Sequence, residues 1–203
     1  MKKLVVGLTG GIGSGKSAVL AMFRRGGVKT FDSDKLAREA VRPGRPAARA
    51  IRRTFGASVF KKGRLDRKAL ARLVFQDAPA RKKLEKIVHP EVVRALKRGI
   101  AGVGSGLVVA DIPLLFEARL KGLADGVAVV WAPRGARLER LARRGMPAGE
   151  ARRRMAAQMP LERKRRLADW VIDNSGAPAR TQAQVRVLAR ALKALLTNGA
   201  HLV

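Results

Sequence analysis

Residues Gly10 to Ser17 read Gly-Gly-Ile-Gly-Ser-Gly-Lys-Ser, a complete Walker A phosphate loop. Glycines let a backbone take conformations closed to other residues and come close to a ligand. Successive N–H groups then turn inward and form an anion nest at a helix N-terminus. Lys16 reaches the β- and γ-phosphates as a point charge, and Ser17 offers a hydroxyl to Mg²⁺. At ~4 Å and an effective dielectric of ~20, one Lys–phosphate contact is worth about 4 kcal/mol of Coulomb energy before desolvation. With this composition a chance match to the pattern is roughly a 1% event. A turn that merely joins a strand to a helix has no use for the Lys-Ser pair.

Carboxylates are the next requirement, because transfer of a phosphoryl group needs one that orients the acceptor hydroxyl and takes its proton. The run Phe31-Asp32-Ser33-Asp34 supplies two. Either also suits Mg²⁺ through water, and Asp is a good cap for a helix beginning near Lys35. One Asp is expected in each role, and the spacing does not say which. Leu107-Val108-Val109-Ala110-Asp111 resembles a Walker B strand, whose terminal Asp stands behind the metal. Glu117, shortly after, is equally a functional acid or first-turn helix decoration. Residues 134–166 carry eleven arginines and Lys164. A mobile Arg-rich flap suits a transition state that crowds negative charge, although most of these arginines are expected to be solvated surface. Arg140 and Arg144 are spaced to share one helix face. His89-Pro90 marks a helix boundary or kink, and no second His, Cys or acidic cluster offers metal-ligand spacing. Asp173-Asn174-Ser175-Gly176 is either a plain turn or the loop bordering an adenine ring.

Elements must hold these residues together. The loop follows the apolar run Leu4–Leu8 and precedes a helical pattern from Ser17, as the motif requires. Further strands are expected at Val28–Phe31, Leu107–Ile112, Val127–Ala132 and Trp170–Ile172. Their alternation with helices predicts an α/β fold: a parallel sheet of the P-loop NTPase type flanked by helices. Ligands of such sheets collect at the carboxyl ends of the strands. The mainly helical stretch 35–100, with turn signals at Pro43-Gly44 and Lys62-Gly63 and a helical pattern over Ala80 to Arg98, is too long for a simple crossover. It reads as an inserted substrate-binding subdomain. Basic helices over 134–166 break at Gly145-Met146-Pro147 and at Pro160. A last helix over 178–196 directs Val185, Leu188, Leu192 and Leu195 to the sheet, and the tail from Thr197 is expected to fray.

Composition excludes several alternatives. There is no Cys, hence no disulfide and no thiolate metal site. No run approaches the length of a membrane span and no secretory signal precedes the loop, so a cytoplasmic protein without a membrane partner is expected. Lys and Arg total 44 against 15 acids, a formal charge of +29. Such a charge favours anionic partners, including non-specific nucleic-acid binding at low salt. The absence of Tyr and scarcity of aromatics argue against a base-stacking platform. An Asn-Lys-x-Asp guanine motif and a Leu-Ser-Gly-Gly-Gln motif are both missing, which disfavours a GTPase and excludes a transporter ATPase.

Taken in order, these residues resemble the dephospho-CoA kinase family over about 4–190. The resemblance is carried by Leu8 to Ser17, Asp32-Ser33-Asp34 with Ala37-Arg38-Glu39, Val41-x-Pro43-Gly44, Phe55-Gly56 and Leu65-Asp66-Arg67 with Leu70. It continues in His89-Pro90, Asp111 to Glu117, Ala156-Ala157-Gln158 and Ala168-Asp169-x-Val171-Ile172-x-Asn174-x-Gly176. It implies ATP and Mg²⁺ as partners and phosphorylation of the ribose 3′-hydroxyl of dephospho-CoA, the last step of coenzyme A synthesis. It implies a nucleotide-binding core at 1–34, 101–133 and 168–203, a helical dephospho-CoA-binding subdomain at 35–100 and an Arg-rich lid at 134–167. The sequence leaves the oligomeric state open, with a monomer favoured. By the same resemblance Asp34, Lys16 and Arg140 are catalytic. Gly11, Ile12, Gly13, Ser14, Gly15, Lys16, Ser17, Asn174 and Gly176 bind nucleotide, with Ser17 on the metal. Thr9, Asp34, His89, Pro90, Leu114 and Leu115 bind the acceptor. Ala18 stands where the family often has Thr, and the charge exceeds what the family leads one to expect. Another small-molecule kinase, acting on a nucleoside or nucleotide, shares the core and lid. A basic nucleic-acid-binding protein with a vestigial ATP site is the alternative from a different class.

Overall fold

The computed structural model describes residues 2–118 and 120–197; the expected fraying beyond Thr197 falls outside them. The chain forms two units, Met1–Asp32 with Ile100–Val203, and Ser33–Gly99. It runs through β1 (Lys3–Gly10), α1 (Lys16–Arg25) and β2 (Lys29–Asp32), then α2 (Ser33–Ala40), α3 (Pro46–Phe55), β3 (Phe60–Lys61), β4 (Arg64–Leu65), α4 (Arg67–Gln76) and α5 (Ala78–Ala101). It returns as β5 (Gly106–Asp111), β6 (Gly126–Trp131), α6 (Arg134–Arg143), α7 (Ala148–Ala156), α8 (Leu161–Leu167), β7 (Trp170–Asp173) and α9 (Pro178–Thr197).

In the first unit five parallel strands lie in the order β2-β5-β1-β6-β7. All five expected strands are present. Val6 and Leu8 of β1, Leu107 and Val109 of β5, Ala128 and Val130 of β6 and Ile172 of β7 pack with Val19, Leu20 and Phe23 of α1 and with Val185 and Leu192 of α9. The alternate residues Val5, Val108, Val127 and Val129 are buried as well. A parallel sheet covered on both faces therefore reads as continuous apolar runs rather than as alternation.

Carboxylates set where two strands begin. Asp125 accepts from the Val5 N–H at 2.7 Å, and its own N–H donates to the Val5 carbonyl at 2.8 Å. Asp169 makes the equivalent pair with Val127, at 2.7 and 2.9 Å. The Lys3 ammonium donates to the carbonyls of Ile100 and Val103 at the end of α5, where helix carbonyls lack partners and negative potential gathers.

The second unit has its own core of Ile51, Val59 and Leu70, with Phe55, Leu65, Leu84, Ile87 and Val88 packed around it. Two features differ from the expected helices and turns. Lys62-Gly63 closes a small antiparallel hairpin, β3 with β4, taking φ of 49° and 74°, positive values as in the tight turns that join strands. Pro90 marks no boundary, because α5 runs unbroken from Ala78 to Ala101 through it. A proline removes one helix hydrogen bond, and the packing of Leu84, Ile87 and Val88 before it holds the helix in place.

Asp66 caps α4, accepting from the Lys68 and Ala69 N–H groups at 2.9 and 3.0 Å. The Ala69 N–H, most of all, holds its carboxyl below the usual 3.8. The ionised form is therefore favoured in the folded state, and its contribution is complete above 3.8 and lost as pH falls through the lower folded value. Asp66→Ala should lower the thermal midpoint by a few degrees at neutral pH. The gap from the parent should close as pH is taken below 3.8, followed by circular dichroism melts across pH.

Candidate functional site

β1 ends with Gly10 in register with Val130 of β6, and the chain turns from there through the phosphate loop into α1. Gly13 (φ 80°) and Gly15 (φ 94°) hold left-handed backbone, which costs an L-residue with a side chain ~1–2 kcal/mol. Neighbours occupy the room as well. A Cβ on Gly13 would stand 2.8 Å from the Arg137 carbonyl oxygen, one on Gly11 would stand 2.5 Å from the Arg137 guanidinium, and one on Gly15 would strike the Asn174 amide. No side chain caps the first turn of α1 and no acid lies in it, leaving a positive helix end of the kind that receives anions. Ser17 is exposed there, and Ser14 is buried with no hydrogen-bond partner for its hydroxyl among the described residues.

The loop is gripped from outside. Arg137 Nε donates to the Ile12 carbonyl at 2.9 Å, and Gln158 Oε1 accepts from the Ile12 N–H at 2.8 Å. Arg140 donates to the carbonyls of Ser14 at 3.3 Å and Asn174 at 2.6 Å. The Asn174 amide donates to the Ser14 carbonyl at 2.7 Å, while its oxygen accepts from Thr181 at 2.9 Å. Asn174, Arg140 and the loop thus meet, whereas the neighbouring Gly176 is exposed. Ile12 departs from the expected nest because its N–H already has an acceptor. Of the pair Arg140 and Arg144, Arg140 reaches the loop, while Arg144 follows α6 as its exposed C-cap and Arg143 before it pairs with Glu139. Arg137, one turn earlier, is the residue that joins Arg140 on the loop. Burial, and secondarily Arg134, pulls its guanidinium below the usual arginine value.

The other side of the loop is acidic. Asp111 is buried, at 3% exposure, with its carboxylate 3.8 Å from Lys16 Nζ. Asp32 ends β2 in register with Asp111. Asp34 lies exposed in the first turn of α2, in the second unit, which also holds half-buried His89 and exposed Pro90 on α5. Two residues expected at the acceptor are instead internal. Thr9 is fully buried and donates to the Pro113 carbonyl at 3.3 Å. Leu115 is fully buried, its side chain filling the space beside Gly7. Both are committed to packing the turn after β5, whereas Leu114 is exposed. Among the described residues no group of three or more His, Asp or Glu is arranged to hold a metal.

Lys164, one basic residue among many in the sequence, proves fully buried. It pairs with Glu117 at 2.7 Å and donates to the Pro113 carbonyl at 3.0 Å. Glu117 also accepts from the Met159 N–H at 3.1 Å, which fixes it as a structural acid. Arg137, Gln158 and Lys164 had no assigned role in the sequence, and no local spacing sets them apart from their neighbours. Arg137 and Gln158 further line a cavity of about 400 Å³ with Arg134, Arg152, Met155 and Glu162.

Burial, more than any neighbour, lowers the Lys164 pKa from 10.5, and the Glu117 hydrogen bond opposes it. Removing one member of a buried pair leaves an uncompensated charge. Glu117→Gln should therefore cost about 3 kcal/mol in urea unfolding at pH 7. The unfolded chain keeps the lysine proton up to 10.5 while the folded chain releases it earlier. Folding is thus increasingly favoured as pH rises through that window, and the variant's deficit should shrink there.

The chain is similar to known proteins along most of its length. The family model for dephospho-CoA kinase matches residues 4–179. The dephospho-CoA kinase of Anaeromyxobacter dehalogenans is 50% identical over 179 residues, covering 86% of this chain and 85% of that one. That of Bacillus licheniformis is 45% identical over 190 residues, 91% and 94% of the two chains. A crystal structure of a Thermus thermophilus protein is 42% identical, with a TM-score of 0.78 over 94% of this chain and 98% of that one. The dephospho-CoA kinase of Campylobacter jejuni, at 23% identity and a TM-score of 0.65 over 95% and 98% of the chains, shares the fold. With this match across the strands, the phosphate loop and the arginine-rich segment, the chain belongs to the dephospho-CoA kinase family.

Proposed function

We propose that this chain transfers the γ-phosphoryl group of ATP to the ribose 3′-hydroxyl of dephospho-CoA, giving coenzyme A and ADP, in the cytoplasm. The observation that carries the reading is an intact phosphate loop inside a family match that spans residues 4–179. Catalysis is then mainly positioning and charge neutralisation. Lys16 and the uncapped first turn of α1 bind phosphate oxygens. Ser17 is an exposed oxygen donor at the same turn, a hard ligand of the type Mg²⁺ accepts. Mg²⁺ bound there would offset phosphate charge. Asp111, 3.8 Å from the Lys16 ammonium, helps to aim it. Asn174 and Gly176 border the adenine, and Arg140, through its bonds to Ser14 and Asn174, ties that border to the loop.

Asp34 is assigned the acceptor hydroxyl, orienting it and taking its proton. The family resemblance and the exposure of Asp34 support this over Asp32, which closes β2 beside Asp111. His89, Pro90 and Leu114 are assigned to dephospho-CoA. Residues 35–100 form its subdomain and 134–167 the lid of a monomer. The +29 charge favours weak, salt-sensitive nucleic-acid binding alongside the reaction.

ADP release from Mg-ATP should be rapid with dephospho-CoA and at background with AMP, CMP or adenosine. Turnover only with a nucleotide would replace the acceptor. Silence in every assay, with tight salt-sensitive RNA binding, would replace the enzyme reading. Asp34→Asn should keep ADP binding and lose ~10²- to 10⁴-fold in kcat, the usual worth of a positioned acid–base group; near-normal turnover would remove Asp34 from the role. Lys16→Ala should lower both kcat and nucleotide affinity by at least ~10-fold, and unchanged kinetics would sink the loop assignment.

A further inference from the structure

Both polar groups of one loop residue, Ile12, are held by the segment that follows β6. Its carbonyl accepts from Arg137 of α6 at 2.9 Å, and its N–H donates to Gln158, just past α7, at 2.8 Å. The two partners lie twenty-one residues apart in sequence, on either side of the α6–α7 connection, and reach the same residue from opposite ends. Arg137 also occupies the space of the absent side chain at Gly11 and packs its own backbone against Gly13. An arginine so enclosed, at 7% exposure, has little of its guanidinium left for a ligand. Gln158, half-buried, contributes an acceptor and no charge.

We infer that Gln158 and Arg137 are positioning residues that clamp the Ile12 peptide groups and thereby hold the phosphate loop in its anion-receiving shape. Fixing Ile12 at both ends restrains the two glycines on either side of it, which have no side chains to anchor themselves. The loop then meets a nucleotide already ordered, and ordering that precedes binding is not charged against affinity. Both residues also form part of the wall of the 400 Å³ cavity. Whatever moves segment 134–160 therefore moves the loop.

The inference rests on the proposed nucleotide site, so its test separates the two. Gln158→Met keeps the side-chain length and removes the acceptor; Gln158→Glu keeps an acceptor. Backbone hydrogen exchange over residues 8–17 and the Kd for ADP by calorimetry are read for both variants and the parent, with melting curves alongside. Gln158→Met should speed exchange in that peptide and weaken ADP about 3- to 10-fold, the worth of one hydrogen bond. Its melting temperature and its KM for dephospho-CoA should hold. Gln158→Glu should restore both readouts. Faster exchange with unchanged ADP affinity would overturn the positioning role, as would equal loss in the two variants. In Gln158→Met/Arg137→Met the losses should combine to less than their product, because both side chains act on Ile12; simple multiplication would mean two independent roles. Failure of the parent to bind ADP would overturn the functional reading itself, and the clamp's role with it.

Discussion

A loop that offers its N–H groups to an anion must turn carbonyls away from it, since the two point in opposite directions across each planar peptide. Those carbonyls are partly buried and need donors of their own. Here the donors are Arg137 for Ile12, and Arg140 with Asn174 for Ser14. This explains why two arginines of a strongly basic segment bind main chain. It also explains the glycines, because side chains at Gly11, Gly13 and Gly15 would stand where Arg137 and Asn174 must be. The tight outer packing and the open inner face are two sides of one geometric requirement.

The sheet meets that requirement by strand order. β6 leads directly into α6 and β7 into Asn174, and both strands lie on the same side of β1, in the order β1-β6-β7. Gly10 pairs with Val130 and Trp131 with Asp173, so the ends of these strands are level with the loop. Asp125 and Asp169 fix β1 and β6 at the opposite edge. A slip of one residue would exchange the faces of a strand and carry Asn174 away from Gly15. Register at the carboxyl edge is thus partly decided by two carboxylates at the amino edge.

Much of this was legible from residues alone. The glycine pattern located the loop, apolar runs located five strands, and the spacing of Val185, Leu188, Leu192 and Leu195 gave the sheet-facing side of α9. What was missed shares a physical cause. The β3–β4 hairpin has two residues per strand, too few to carry a period. Arg137 was lost among eleven arginines because position along a helix, and not residue type, brings it to Ile12. Leu115 and Thr9 were assigned to the acceptor by resemblance, and an apolar or hydroxyl side chain in a motif is as well suited to packing the turn behind a site. Lys164 defied the expectation that lysines are solvated, since burial depends on Glu117 and Pro113, some fifty residues away.

The charge excess has little bearing on the site. Exposed charges interact across water and are screened beyond a Debye length of ~10 Å in ~0.1 M salt, and exposed ion pairs are individually worth ~0–1 kcal/mol. Lys164 and Arg137 differ because burial denies them that screening, and Lys164 is destabilised in part by both Lys16 and Arg137. Three cations are therefore electrostatically linked around the loop and the turn after β5, with buried Asp111 and partly buried Glu117 opposing them. For Lys164 this repulsion adds to the larger effect of burial, and the Glu117 hydrogen bond and charge oppose both. What sets these charges apart from the rest of the basic chain is that the backbone holds Lys164 and Arg137 shielded from water, with buried Asp111 and partly buried Glu117 close by.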